Sequence, residues 1–294
     1  RETGGVGKSM EEVVEEIAKD MESKMRKPWN IEDTMEVYPT VYLESMNTVL
    51  VQEIVRFNRL IVVINASLAN MQKALKGLVV MSNDLEGVVN AMFNGQVPVM
   101  WEKKAYPSLK PLGSWVADLV QRLTFFQDWI DNNKPAKYWI SGFFFTQSFI
   151  TGTMQNYARK HQVAIDKLNF EYVMKSDMNK DGPERPEDGC YIWGLFIEGC
   201  RWDPVADALG ESMPKQLFTE MPVIWLRPNT ESLPGDVMED GKYISPVYKT
   251  TARKGVLSTT GHSTNFVMYL KIPSQHPQSH WVKRAVACLT GLSD

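Results

Sequence analysis

Apolar positions in the first half of the sequence recur every three or four residues, the period of an amphipathic helix. In the second half they recur every two, the period of a strand. Ser9 followed by Glu12 makes a capping-box pattern, and Val13, Ile17 and Met21 then return every fourth residue, predicting a helix closed by Pro28. A longer stripe runs through Met46, Leu50, Ile54, Phe57, Ile61, Ile64, Leu68, Met71, Leu75 and Leu78. Its opposite side carries Gln52, Glu53, Arg56, Arg59, Asn70 and Lys73, so the predicted helix has one packed face and one wetted face. A break over 77–83 precedes another helix, with Asn83 and Glu86 as its cap signal ahead of Leu85, Val88 and Met92, and Gly95 then Pro98 as its end. Beyond a proline- and lysine-rich loop over 97–112, Trp115, Leu119, Leu123, Phe126 and Ile130 mark a helix whose expected cap is Ser114. The aromatic run 138–145 leads to Ile150, Met154 and Tyr157 at helical spacing, and the helical half is expected to end near His161.

After Ile165 the period changes: Leu168, Phe170, Tyr172 and Met174 alternate with Asn169, Glu171 and Val173. Further strands are expected over 190–202, 222–227, 243–248 and 265–272, and 281–289 reads as a short helix feeding a last strand. Several short strands without long helices between them predict an antiparallel sheet closed, or nearly closed, on itself. The expected fold class is therefore α+β, with an N-terminal helical bundle over 1–164 followed by a small antiparallel β-barrel over 165–294.

Composition narrows the classes of partner. With 294 residues, 44% hydrophobic and 23% charged, the protein has ample material for a buried core. A net charge of −3 gives no general attraction to nucleic acid or anionic lipid, so neither is an expected partner. Arg56, Arg59, Lys73 and Lys76 interrupt the apolar runs, and no membrane span is expected. Three cysteines, Cys190, Cys200 and Cys288, are too few for a disulfide framework and suit a reducing compartment. The polar, acidic start predicts neither a secretion signal nor a transit pattern.

Several short patterns imitate catalytic or metal sites. Gly4-Gly5-Val6-Gly7-Lys8-Ser9 resembles a phosphate-binding loop, but Glu2 stands where the first glycine belongs and no apolar strand precedes it. It reads as a leader capped by Ser9. Asp177-Met178-Asn179-Lys180-Asp181-Gly182, with Asp188 in twelfth place, follows the oxygen-ligand order of a calcium loop. Pro183, Pro186, Glu184 and strand-like flanks instead favour a solvated hairpin loop. The cysteines form no CxxC pair and His161, His262, His276 and His280 read as unclustered, so no zinc site is expected. Cys190 and Cys200, beside Ile192, Trp193 and Phe196, read as small inert hydrophobes. His262 with Ser258 and Ser263 lacks the context of a nucleophile, and the tract 258–264 reads as a polar turn. Nine tryptophans and the run Phe143-Phe144-Phe145 exceed what one small core needs, and any left exposed would mark a protein interface.

Longer stretches carry a family likeness. Ser45-Met46-Asn47-Thr48-Val49-Leu50-Val51-Gln52-Glu53, Leu75-Lys76-Gly77-Leu78-Val79-Val80-Met81-Ser82 and Tyr106-Pro107-Ser108-Leu109-Lys110-Pro111-Leu112-Gly113-Ser114-Trp115 are similar to the C-terminal end of dynein heavy chains. So are Ser141-Gly142-Phe143-Phe144-Phe145-Thr146-Gln147, Gln155-Asn156-Tyr157-Ala158-Arg159-Lys160, Pro186-Glu187-Asp188-Gly189 and Gly194-Leu195-Phe196-Ile197-Glu198-Gly199. Pro246-Val247-Tyr248-Lys249-Thr250 and His262-Ser263-Thr264-Asn265-Phe266 extend the likeness over nearly the whole sequence. The resemblance implies a non-catalytic domain after the sixth AAA+ module, helices first and a small barrel last, docked on one face of the motor ring. It implies regulation of force and processivity, with ATP hydrolysis and microtubule binding in other parts of the heavy chain. The expected partner is the AAA+ ring of the same heavy chain, with other dynein subunits or axonemal proteins as further partners, and neither a cofactor nor direct microtubule contact is expected. The tract 258–265 looks more like axonemal inner-arm heavy chains, which places the expected location in the cytoskeleton of a cilium or flagellum. The loop 175–185 departs from the family pattern, and a calcium-responsive interaction module using Asp177 to Asp188 is the alternative reading.

Overall fold

The computed structural model describes residues 7–253 and 265–294. In α1 (Met10–Lys24) the expected capping box is present: the Ser9 hydroxyl accepts from the Glu12 amide, and the Glu12 carboxylate accepts from the Ser9 amide. This helix ends four residues before Pro28. The short α2 (Ile31–Val37), capped by Asn30, leads to α3 (Ser45–Leu75), which at 31 residues is the longest element. At 1.5 Å per residue α3 spans roughly 46 Å, enough to serve as the axis of the helical part. Its stripe from Met46 to Met71 is buried as the spacing predicts. Glu53, on the side expected to be wetted, is instead fully buried.

The Ser82 hydroxyl, rather than Asn83, caps α4 (Asn83–Phe93), accepting from Leu85 N at 3.2 Å. The loop that follows contains a short α5 (Val99–Glu102). Next, α6 (Leu112–Asn132) begins two residues before the expected cap. Proline at 111, with its fixed φ, stands at the N-cap without a side-chain cap, and the Ser114 hydroxyl donates to the Pro111 carbonyl at 3.3 Å. The aromatic run then splits into β1 (Lys137–Trp139) and a 3₁₀ turn (Ile140–Gly142) before α7 (Thr146–His161).

The segment between that turn and α7 fixes how the helices meet. Glu53 accepts hydrogen bonds from the amides of Phe144 at 2.6 Å and Phe145 at 2.9 Å. On the other side of the same backbone, Lys249 donates to the Phe144 carbonyl at 2.8 Å and Arg122 to the Phe143 carbonyl at 3.5 Å. Arg56 adds a charge 3.9 Å from the Glu53 carboxylate and lies over the Phe145 ring. Three residues of backbone therefore join α3, α6 and a lysine from the second half. The rings beside them interlock, with Phe126–Phe143 and Phe143–Phe149 centroids at 5.6 and 4.7 Å.

A 3₁₀ turn (Ile165–Lys167) precedes β2 (Asn169–Lys175), whose Phe170 and Tyr172 face inward as the alternation requires. There follow β3 (Cys190–Trp193), β4 (Phe196–Glu198), β5 (Arg201–Asp203), β6 (Ala208–Gly210), β7 (Phe218–Glu220), β8 (Val223–Asn229), β9 (Lys242–Tyr248), β10 (Phe266–Pro273), α8 (Gln278–Val282) and β11 (Ala287–Leu289). The expected strand over 190–202 is three strands because Gly194 (φ +99) and Gly199 (φ +80) turn the backbone twice. A side chain at Gly194 would collide with the Trp139 ring, so the bend is built against β1.

No closed barrel forms among the described residues, which corrects the barrel expectation. The strands lie in two mixed open sheets, ordered β1-β3-β8-β2 and β10-β9-β11-β4-β7, and a β5-β6 hairpin. Two parallel pairs break the antiparallel pattern: β1 enters beside β3 from the helical half, and α8 leads across so that β11 runs parallel to β9. Closure needs a continuous hydrogen-bonded circuit, and β1, only three residues long, ends one sheet. One buried apolar cluster runs from Val14 through Phe126 and Ile192 to Cys288, under both helices and sheets. No described helix is long and apolar enough to cross a membrane.

Burial, opposed by the Glu53 charge, pulls Lys249 down to about 8 from 10.5. Between those two values the unfolded state binds more protons at this site than the folded state, so its contribution to stability rises with pH from about 8 to 10.5. Denaturant unfolding of wild type and Lys249→Met across that range is the check. Wild type should gain on the order of 2–3 kcal/mol relative to the variant from the lower to the upper limit. Parallel stability curves would show that Lys249 keeps its ordinary proton affinity in the fold.

Candidate interaction surface

The chemical look-alikes in the sequence do not assemble into a reactive centre among the described residues. Gly4, Gly5 and Val6 of the phosphate-loop imitation lie outside them, Ser9 caps α1, and the Lys8 ammonium pairs with Glu16 at 2.7 Å. His262, Ser258, Ser263 and the tract 258–264 likewise lie outside the described residues. In the loop 177–188, two of the potential ligands, Asn179 and Asp188, already hold other partners. The Asp188 carboxylate takes Lys160 at 2.8 Å and His161 at 3.0 Å, and these groups hold it below the usual carboxylate range against the opposing effect of desolvation. The Gly182 carbonyl accepts from Lys137 at 2.6 Å, and the Asn179 side chain accepts from the Asp181 amide. Calcium would have to displace the Lys160 ammonium and the His161 ring to use Asp188.

The cysteines are all buried. Burial pushes the Cys190 thiol to about 11 and the Cys200 and Cys288 thiols to about 12. Such thiols stay protonated at neutral pH and are poor nucleophiles and ligands. None of the nine tryptophans is exposed; Trp193 and Trp225 are half-buried. The aromatic interface signal therefore passes to a residue that the sequence pattern does not single out.

That residue is Tyr42, 70% exposed in the turn between α2 and α3. Met35, Val37, Val41 and Leu43 are exposed around it, so five large apolar side chains in a nine-residue stretch face outward. A groove of about 610 Å³ opens beside them between the N-terminal end of α3 and α7, with Thr48, Gln52, Ser148 and Gln155 among its walls. Arg159 forms its cationic rim. Its guanidinium donates to the Tyr42 carbonyl at 2.9 Å and the Ser45 hydroxyl at 3.1 Å, and lies 4.7 Å from the Tyr42 ring centroid.

The corner is held from beneath. The Glu44 carboxylate accepts from Met46 N at 3.1 Å at the start of α3, and from Asn156 on α7 at 3.1 Å. Lys134 also pairs with that carboxylate. The Asn156 side-chain carbonyl in turn accepts from Ser45 N at 2.7 Å. Gly152 packs so closely on Met46 and Val49 that an added methyl would press on both, which lets α7 and α3 approach. A rigid corner presenting an exposed aromatic, aliphatic neighbours and an arginine has the composition of a protein-binding surface rather than of a catalytic cleft. No periodic signal reveals it, because its residues lie in a turn and on two helices about a hundred residues apart. The sequence clue is a run of apolar residues at 41–43 where a turn should be polar.

Comparison with known proteins places the sequence in one lineage. The family described as the C-terminal domain of the dynein heavy chain matches residues 1–290. Human "Dynein axonemal heavy chain 3" is 52% identical over 294 residues, which is 100% of this protein and 7% of that one. "Dynein axonemal heavy chain 1" of Rattus norvegicus is 52% identical over 97% of this protein and 6% of that one. Human "Dynein axonemal heavy chain 12" is 48% identical over 100% of this protein and 9% of that one. The 294 residues thus span less than a tenth of the length of these curated relatives.

With all three thiols buried and protonated, the folded protein near neutral pH should resist alkylation by iodoacetamide, whereas the denatured protein should take up three labels. Mass spectrometry reads the difference. Rapid native labelling of any one cysteine would overturn its assignment as a packed hydrophobe.

Proposed function

This protein belongs to the family of dynein heavy-chain domains found at the C-terminal end of the motor polypeptide, and from that premise we propose that it docks on the AAA+ ring of its own heavy chain through the Tyr42–Arg159 corner. In that position it braces the ring and regulates force and processivity without catalysing a reaction itself. The observation that carries the proposal is the exposed apolar corner, rigidly supported, on a protein whose family likeness covers nearly every residue. Nucleotide hydrolysis and microtubule binding are assigned to other parts of the heavy chain. The names of the similar proteins, all axonemal heavy chains, support a working location in the axoneme of a cilium or flagellum. The same surface serves other dynein subunits or axonemal proteins only where the ring leaves it free.

The change of period near residue 164 supports a helical subdomain over 1–164 and a β subdomain over 165–294. In this proposal they act as one body, because β1 is shared with the strands and Lys249 reaches back to Phe144. A displacement imposed on the helical corner is therefore felt in the sheets.

The test is binding of this protein to a dynein motor that ends just before the matched region. Saturable binding is expected, and Tyr42→Ala should weaken it by about 2 kcal/mol, roughly thirtyfold, if Tyr42 is a central anchor. Tyr42 is mostly exposed, so thermal melting should stay unchanged and separate docking from folding. Binding at wild-type strength in Tyr42→Ala would remove the corner from the interface, and no binding by the folded protein would overturn docking between the two parts.

A further inference from the structure

At the end of the molecule opposed in sequence to that corner, the turn after β10, the helix α8 and the residue after β6 bring three donor side chains together. One oxygen of Glu211, one ring nitrogen of His276 and one of His280 all lie within 4.8 Å of one another. His280 Nε2 is 2.6 Å from Glu211 Oε1. The His276 and His280 rings stack with centroids 4.0 Å apart and 10° between planes. His276-Pro277-Gln278-Ser279-His280 places the two histidines four residues apart, an HxxxH spacing that suits two ligands of one ion and that corrects the reading of the four histidines as unclustered.

Their supports are more ordered than a chance surface cluster requires. The Ser274 hydroxyl donates to the His276 carbonyl at 2.7 Å and accepts from the His276 amide at 3.0 Å and from the Trp281 indole at 2.7 Å. Gln278 fastens α8 to β9, accepting from Ile244 N at 2.8 Å and donating to Ile244 O at 2.9 Å. Arg284 donates to Glu211 Oε2 at 2.8 Å and to the His280 carbonyl at 3.0 Å, which orients the carboxylate and leaves Oε1 turned toward the imidazoles. An arginine on the outer oxygen is the kind of outer-shell contact that fixes a ligating carboxylate.

We propose that Glu211, His276 and His280 form a binding site for a divalent transition-metal ion of borderline softness, Zn²⁺ being the best fit. Two imidazoles and a carboxylate suit this class of ion better than calcium or magnesium, which take oxygen ligands. Three protein ligands leave a fourth tetrahedral position for water. Ligation at about 2.0–2.1 Å sets two nitrogens roughly 3.4 Å apart with both lone pairs aimed at the ion, which parallel stacked rings cannot do. Binding therefore turns the exposed His276 ring out of the stack, while the buried Trp281 and the Gln278 anchor keep α8 in place. His280 exchanges its contact with Glu211 for the ion, and any imidazolium proton leaves to solvent. The bound ion ties the segment after β6 to α8, two elements otherwise joined at this point by surface contacts of Glu211.

Titration of the protein with Zn²⁺ by calorimetry, as wild type and as His276→Gln and Glu211→Gln, tests the assignment, with circular dichroism to verify folding. Absorption of the Co²⁺-loaded protein gives a second readout, since tetrahedral nitrogen and oxygen ligation produces intense visible bands. One saturable equivalent is expected, and each variant should bind more than about tenfold more weakly, because even outer-shell changes cost about 10- to 100-fold in affinity. His161→Gln should bind as wild type does. Absence of saturable binding, or binding that both variants retain at wild-type strength, would overturn the site.

Discussion

A carboxylate sealed from water must find donors, and Glu53 finds them in the backbone of the segment that opens α7. Burial pushes its proton affinity up, while the Phe145 and Phe144 amides, Arg56 and Lys249 oppose that shift. Removing one partner of a buried charge typically costs about 3–5 kcal/mol, so the segment 143–145 is not free to adopt another path. Its carbonyls face Arg122 and Lys249, so both hydrogen-bonding sides of one short stretch are satisfied by charged side chains from three distant places in the sequence. The relative position of α3, α6, α7 and the end of β9 follows from this one clamp.

The proposed docking corner is a consequence of that arrangement. Once α7 is fixed against α3, Asn156 and Arg159 fall beside Ser45 and Tyr42, and Glu44 can bridge the two helices. The apolar residues of the turn are then held outward on a stiff base, which limits the entropy lost when a partner covers them. The proposed ring bracing calls for a part that transmits load rather than absorbing it. The continuous buried cluster under helices and sheets, together with the shared β1 strand, meets that demand.

Much of the fold is legible in the sequence because period reports burial. The stripe of α3, the capping box of α1 and the inward alternation of β2 stand where the pattern predicts them. Glu53 departs from its pattern for a physical reason: at helical spacing it sits among polar neighbours, and only tertiary contact with Phe144 and Phe145 turns it inward. The barrel expectation fails because short strands do not disclose their order, and two parallel pairings depend on crossovers that no local pattern encodes. Strands β6 and β7, each of three residues, fall below the length at which alternation can be recognised. The docking corner is hidden by its discontinuity, though the family likeness, read from long ordered matches, needs no geometry and is supported by the match over 1–290.

Hydrogen exchange at the Phe144 and Phe145 amides, compared between wild type and Glu53→Gln, tests the clamp most directly. If Glu53 joins the helical and β parts, both amides are protected nearly as strongly as the most stable core amides in wild type. In the variant, protection should fall together in α7 and in β9 and β10. Loss confined to α3 and α7, with β9 and β10 exchanging as before, would contradict the clamp.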